Sequence, residues 1–256
     1  MLHALALTTL AGLSTGLGGL VVMLCKKPGD KMMSLSLGFA AGVMITVSLT
    51  DMLPHTVHVY HQYMPLVLSA LASASLAAMG MVIAMLLEKC IPGEKELAAS
   101  HITGMTHAAA MRSAIVTTAA IVLHNLPEGV LTLFTGYASP RLGAALTLAI
   151  AMHNIPEGIA IAVPVYYATG SKIKAAVYAL LSGVAEPLGA VLAFFVFRNA
   201  ITPGFLNGLV ASISGIMLYV SASELLPESF AFGKRGYSIL GIVGGIIIMS
   251  IGIYLV

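Results

Sequence analysis

The chain has 256 residues, of which 59% are hydrophobic and only 9% are charged, and its mean hydropathy is +0.99. In soluble domains about a quarter of the residues are charged, so this composition excludes a soluble globular protein. It predicts an all-α integral membrane protein whose first partner is the lipid bilayer. The net charge of +2 comes without a basic run, and we predict no nucleic-acid partner.

Eight stretches approach or exceed the roughly 20 apolar residues that a membrane-spanning helix needs. In chain order they are Leu2 to Leu24, Leu35 to Pro54, Pro65 to Leu87, Ser113 to Gly136, Leu142 to Val165, Ile173 to Phe197, Phe205 to Leu226 and Tyr237 to Val256. Most of the connections are short, and the longest covers residues 88–112. We therefore expect a single eight-helix transmembrane domain over residues 1–256.

The distribution of basic residues predicts the orientation of these spans. Nine of the twelve lysines and arginines fall in the first, third, fifth and seventh connections, and Lys174 lies at the edge of the fifth, as the second residue of span six. Only Arg141 and Arg198 fall in the even connections. Basic connections stay in the cytoplasm. The pattern predicts that both termini are extracytoplasmic and that loop 88–112 is cytoplasmic. We expect a multi-pass protein of a bacterial inner (plasma) membrane.

The outward end of span two carries polar residues that are candidates for a metal entrance. Asp51 lies about 10 Å outward of the middle of the span, at 1.5 Å per residue. His55, His58 and His61 follow, and their spacing would present them on one face of a helix. The alternative is a solvated loop that contains three histidines, and the sequence leaves both interpretations open.

Spans four and five carry the same pattern near their centres, HNLPEG at 124–129 and HNIPEG at 153–158. Its polar members are His124, Asn125, Glu128, His153, Asn154 and Glu157. Histidine and glutamate four residues apart share one helix face, and together they suit Zn²⁺, Fe²⁺ or Mn²⁺. The proline frees the carbonyl four residues earlier, so we expect a broken helix with additional oxygen ligands. A single such histidine or proline would be explained by packing, whereas two matched copies predict a binding site.

Carboxylates within the spans have no lysine or arginine beside them. They are Asp51, Glu128, Glu157, Glu186 and Glu224. A buried carboxylate needs a partner, which here must be protons, water or a bound metal ion. Such residues usually mark a transport path.

A second sequence echo predicts an inverted repeat. SLTDMLPHT at 48–56 resembles SASELLPES at 221–229, and the spans that carry them run in opposite directions. Glu224 lies about 13 Å inward of the middle of span seven. Spans one to three and six to eight would then be related by a two-fold axis around the pair of spans four and five, as in many transporters.

These motifs, together with SGVAEPLGA in span six, resemble the ZIP (Zrt-, Irt-like protein) family of divalent metal transporters, in particular its bacterial ZupT-type branch. The resemblance implies zinc movement toward the cytoplasm and an elevator-like sliding of spans one, four, five and six against the others. It implies one metal held by His124, Glu128, His153 and Glu157. A second would be held by Asn125, Asn154, Glu157 and Glu186, with Glu157 bridging the two ions.

The predicted function is therefore a divalent metal transporter that works by alternating access. Zinc is the expected cargo, with iron, manganese and cadmium as further candidates, and assembly as a homodimer is left open. The alternative is an intramembrane zinc-dependent hydrolase, which would need one open metal site with a water and a base. A passive channel shares the same residues and differs in that its flux would not saturate.

Overall fold

The chain forms a helical membrane protein. The computed structural model describes residues 1–25, 29–89, 107–197 and 202–255. All secondary structure in these ranges is helical, and seven of the described helical stretches are long and apolar enough to cross a membrane. The predicted all-α, multi-pass membrane architecture is confirmed at this level.

The described residues form eleven α-helices and two π-helical segments, and most of the helices extend beyond the predicted spans. In chain order they are α1 (Leu2–Leu24), α2 (Asp30–Val47), π1 (Ser48–Met52), α3 (Leu53–His61), α4 (Leu66–Lys89), α5 (His107–Ala138), α6 (Pro140–Thr169), α7 (Lys172–Gly183), α8 (Ala185–Phe197), α9 (Pro203–Val220), π2 (Ser221–Leu225), α10 (Leu226–Ala231) and α11 (Arg235–Leu255). Predicted span four lies inside α5, several side chains of which are outside the described part of the structure. Eight spans, the inverted repeat and the placement of the termini stay predictions.

The two echoed sequences have the same local structure. SLTDM forms π1 and SASEL forms π2, and each is followed by Leu-Pro at the start of the next helix. Pro54 and Pro227 have no N–H to donate to the preceding turn, and a wider π turn accommodates that loss without ending the helix. The predicted end of span two at Pro54 is therefore wrong, because the span continues to His61.

The predicted breaks at the two repeated motifs are also wrong. Both α5 and α6 remain helical across Pro127 and Pro156. The interruption lies instead in span six, at Val184 between α7 and α8. Pro187 cannot donate a hydrogen bond to the carbonyl of Gly183, and glycine itself favours the helix least among residues other than proline.

Polar caps and one glycine place α6 and α7 side by side. The Ser139 hydroxyl accepts a hydrogen bond from the Leu142 N–H at the start of α6, and the Ser171 hydroxyl caps α7 in the same way. Between the helices Gly170 has φ of 65°, a left-handed conformation that glycine adopts without strain. The chain therefore reverses within a few residues.

The helices divide into two groups by the way they pack. In the first helix group, α1 lies against α6 and α7, and α5 lies against α6 and α8. In the second helix group, α2 lies against α11, and α4 lies against α3 and α9. Glycines bring backbones together inside each group, as at Gly12 with Gly183 and at Gly42 with Ile242. Between the groups α2 meets α6 through apolar side chains such as Leu37 and Ile161.

We predict that Gly183→Ala separates α1 from α7. A methyl group at this position would overlap the backbone oxygen of Gly12, so the free energy of unfolding should fall by about 1–3 kcal/mol. Unfolding by SDS titration in mixed micelles measures the change. The control is Gly252→Ala in α11, where an added methyl group meets nothing within 4 Å. If both substitutions lowered the free energy of unfolding equally, the close approach of α1 and α7 would be contradicted.

Candidate metal centre

The two repeated motifs and the broken span six meet in one buried polar cluster. Its described members are Asn125, Glu128, His153, Asn154, Glu157 and Glu186, each with an exposed fraction of at most 2%. They come from α5, α6 and α8, which pack together in the first helix group. His124 lies in α5, but its side chain is outside the described part of the structure.

A histidine–carboxylate pair links the two copies of the motif. The Nε2–H of His153 donates to Oε1 of Glu128 over 3.0 Å, and both side chains are buried. The α6 histidine thus pairs with the glutamate of α5. The two copies face each other, which is the geometry that a shared ion would require.

Asn154 ties the cluster to α1 and α8. Its Nδ2 donates to Oε1 of Glu186 and, over 3.1 Å, to the backbone oxygen of Ala11. Both partners accept hydrogen bonds, so the amide nitrogen must face them and Oδ1 must face away. Asn125 is oriented similarly, because its Nδ2 donates to the backbone oxygen of Ser182 over 3.3 Å. The amides therefore have structural bonds on one side and acceptor oxygens on the other.

Several oxygens remain as potential ligands. Oδ1 of Asn125, Oδ1 of Asn154 and Oε2 of Glu186 have no hydrogen-bond partner among the described residues. Buried acceptors of this kind are costly unless a donor or a cation meets them. Among the described residues, no three histidines, cysteines or carboxylates are gathered closely enough to hold a metal ion. The described residues do not include the side chain of His124, a predicted ligand.

The predicted entrance and exit residues lie outside the cluster. Asp51 is exposed on π1, and Glu224 is partly buried on π2. His55, His58 and His61 are exposed on α3, so they belong to a helix and not to a loop. Their part in gathering metal stays a prediction.

A small cavity lies beside the cluster, at the boundary between the two helix groups. Glu128 and His153 line it from the first group, and Met52, Met217 and Met249 line it from the second. The three methionines are nearly fully buried. They therefore form the apolar surface that the second helix group presents to the polar pair. The sequence predicts methionines as core filling and does not indicate which of them border the cluster.

The contribution of α1 is not predicted from the sequence. Ala11 accepts a hydrogen bond from Asn154, and Thr15 packs against Gly158 and Gly183. The available signal is the glycine spacing in α1, which predicts close packing without naming the partner helix. A backbone carbonyl has no sequence signature, so its role appears only once the helices are assembled.

A sequence model of the ZIP zinc transporter family matches residues 93–252. The chain belongs to the ZIP zinc transporter family. It is 38% identical to zinc transporter ZupT of Akkermansia muciniphila, over 96% of this chain and 94% of that relative. It is 37% identical to ZupT of Streptococcus mutans, over 98% and 97%. It is 40% identical to ZupT of Chlorobium luteolum, over 98% and 97%.

Membership of the ZIP family confirms the resemblance and the predicted function in divalent metal transport. ZIP proteins are transporters and not enzymes, so the intramembrane hydrolase is not supported.

We predict that Asn154→Asp makes the stability of this ZIP protein depend on divalent metal. The new carboxylate would face Glu186 and the Ala11 carbonyl without a hydrogen to donate. In the presence of EDTA the free energy of unfolding should fall by about 2 kcal/mol or more, and Zn²⁺ should restore it. SDS unfolding with and without zinc measures both effects. The control is Asn207→Asp in α9, whose free energy of unfolding should not change when zinc is added. If zinc stabilised both variants equally, the assignment of Asn154 would be contradicted.

Proposed function

We propose that this protein carries zinc across the bacterial inner membrane toward the cytoplasm, through the cluster between α5, α6 and α8. The observation that carries the proposal is the buried pair of His153 and Glu128, one from each copy of the repeated motif. Imidazole and carboxylate are zinc ligands that bind in their deprotonated forms, so an arriving ion would replace the proton between them.

The charge of the cluster supports a cation as the cargo. Glu128, Glu157 and Glu186 are all buried within it. Three carboxylates in a water-poor interior stabilise a bound dication strongly and are costly without one. The ion thus supplies the counter-charge that the protein omits.

We propose two ion positions that share Glu157. The first uses His124, Glu128, His153 and Glu157, a nitrogen and oxygen set suited to Zn²⁺ and Fe²⁺. The second uses Asn125, Asn154, Glu157 and Glu186, a set with oxygen donors alone. Its two amide oxygens and Oε2 of Glu186 have no hydrogen-bond partner among the described residues, which supports ligation there. Fe²⁺, Mn²⁺ and Cd²⁺ are additional candidate cargoes.

We propose that transport occurs by alternating access, with the first helix group sliding against the second. The division of the bundle supports this motion. Glycine contacts such as Gly158 with Thr15 join backbones inside the first group, whereas Met52, Met217 and Met249 lie at the boundary. Interdigitated backbones resist separation, while flexible methionine side chains adapt to a moving neighbour.

The shared π-helical structure of π1 and π2 supports an inverted repeat. Asp51 and Glu224 occupy matching positions in these two segments. We propose that they receive the ion at the outer side and release it at the inner side. Extracytoplasmic termini and homodimeric assembly belong to the same proposal and rest on the sequence.

We predict that Glu157→Gln abolishes saturable zinc uptake, because the proposed bridging ligand loses its charge. The measurement is ⁶⁵Zn uptake into proteoliposomes of purified protein. Asp30→Asn, which removes an exposed carboxylate at the start of α2, is the matched control and should transport normally. Wild-type uptake by Glu157→Gln would overturn the site, and uptake that does not saturate would indicate a channel.

We predict that changing His55, His58 and His61 together to alanine raises the zinc concentration needed for half-maximal uptake several-fold. The maximal rate should stay unchanged, because these exposed histidines would gather the ion without forming the transport site. Initial rates over a range of zinc concentrations measure both parameters. An unchanged half-saturation concentration would mean that the three histidines have no part in capture.

A further inference from the structure

Five buried oxygen-bearing residues around the Asn154 side of the cluster are linked in a closed sequence, which we call the ring; they are Thr15, Asn125, Asn154, Ser182 and Glu186. Asn125 bonds to the backbone of Ser182, and Asn154 bonds to Glu186. Thr15 is wedged beside Gly183, the neighbour of Ser182: a Cβ on Gly183 would lie 3.1 Å from the Thr15 Cβ. The ring therefore draws on five helices, α1, α5, α6, α7 and α8.

Two further contacts close the ring. The carbonyl of Ala11, one turn before Thr15, accepts the amide hydrogen of Asn154. Gly129, one turn after Asn125, lies directly against the Glu186 backbone. Each member of the ring is thus linked to the next by a hydrogen bond, by a backbone contact of a chain neighbour, or by one turn of its own helix.

The hydroxyl of Thr15 behaves unlike that of most helical threonines in this protein. Seven others donate to the carbonyl four residues earlier, as Thr46 does to Gly42 over 2.7 Å. For Thr15 that carbonyl belongs to Ala11, which already accepts from the Ser14 hydroxyl and from the Asn154 amide. Thr15 Oγ1 is fully buried and has no hydrogen-bond partner among the described residues. Because Ser14 and Asn154 both donate to that carbonyl, the threonine hydroxyl stays available.

Ser182 supplies a second hydroxyl of the same kind. Its side chain is 1% exposed, and its Oγ has no hydrogen-bond partner among the described residues. Its backbone oxygen holds Asn125 in place. Five oxygens of the ring therefore have no hydrogen-bond partner among the described residues. They are the two hydroxyls, Oδ1 of Asn125, Oδ1 of Asn154 and Oε2 of Glu186. Leaving such groups buried is costly. Single unpartnered hydroxyls also occur elsewhere, as at Ser73, but here five oxygens belong to linked residues, and one common ligand would offset the cost of all five.

We propose that Thr15 and Ser182 are binding residues of the second ion position, and that they hold a divalent cation together with part of its hydration shell. This inference rests on the proposed function and adds α1 and α7 to the ligands proposed above. Hydroxyl and amide oxygens are neutral, hard donors, and hard divalent ions bound by oxygen retain water readily. The hydroxyls can accept from that water or coordinate the ion. The second position would therefore favour Mn²⁺ relative to the His153 position, which has a nitrogen ligand.

The test uses Mn²⁺ as the probe and the full-length protein in lipid nanodiscs. Protein preloaded with one equivalent of Zn²⁺ is titrated with Mn²⁺, and electron paramagnetic resonance measures free and bound Mn²⁺. Exchange into D₂O then reports the water protons coupled to the bound ion. Thr15→Val and Ser182→Ala should each raise the Mn²⁺ dissociation constant by about tenfold or more and reduce the coupled water. Thr15→Ser, which keeps the hydroxyl, should restore binding.

Matched controls remove hydroxyls of the same kind elsewhere. Thr118→Val in α5 and Ser73→Ala in α4 delete hydroxyls that also have no partner among the described residues, and Mn²⁺ binding should not change. Wild-type affinity in both Thr15→Val and Ser182→Ala would overturn the inference. An equal loss in the controls would overturn it too, since the effect would then be general packing.

Two outcomes separate this inference from the proposed function. Wild-type protein that transports zinc but binds no Mn²⁺ after zinc loading would overturn the second position and leave zinc transport intact. Wild-type protein that neither binds a divalent ion nor takes up ⁶⁵Zn would overturn the proposed function itself.

Discussion

Glu128, Glu157 and Glu186 are buried together inside a membrane-spanning bundle, where an uncompensated negative charge is most costly. The neighbouring side chains lower that cost by donating hydrogen bonds to the carboxylates. His153 donates to one carboxylate, and the amide of Asn154 donates to another. These neutral donors reduce the cost without cancelling the charge, so the site stays attractive to a dication. A lysine in the same place would have stabilised the empty protein and competed with the cargo.

Close backbone packing is what allows α1 to take part. Gly158 and Gly183 have no side chain where they meet Thr15 and Gly12, so α1 lies directly on α6 and α7. Only at that distance does the Ala11 carbonyl reach the amide of Asn154. A larger residue at either glycine would move α1 outward and remove an acceptor from the cluster. The small-residue packing and the polar site are therefore one structural feature.

The boundary between the two helix groups has a different character. Inside each group, glycines interlock backbones, and across the boundary apolar side chains meet, among them three buried methionines beside the His153–Glu128 pair. The described polar side chains of the cluster belong to the first group alone, so an ion bound there would move with that group. The local widening at π1 and π2 lies on the other side of the boundary, in the second group. The first helix group thus holds the polar cluster between closely packed backbones, whereas the second presents flexible methionine side chains to it.

The sequence by itself determined the helical membrane class, most of the apolar spans, the repeated motif and the family. These are local properties, because apolar length, residue spacing and uncompensated charge are present in the chain before it folds. Only the tertiary structure decided that His153 pairs with Glu128 and that Asn154 bonds to Ala11. It also decided that the helix is regular at Pro127 and is interrupted by a single turn residue at Val184. A proline's lost hydrogen bond is local, yet whether the helix breaks depends on its neighbours. Likewise, the carbonyl of Ala11 became part of the site because packing brought it there.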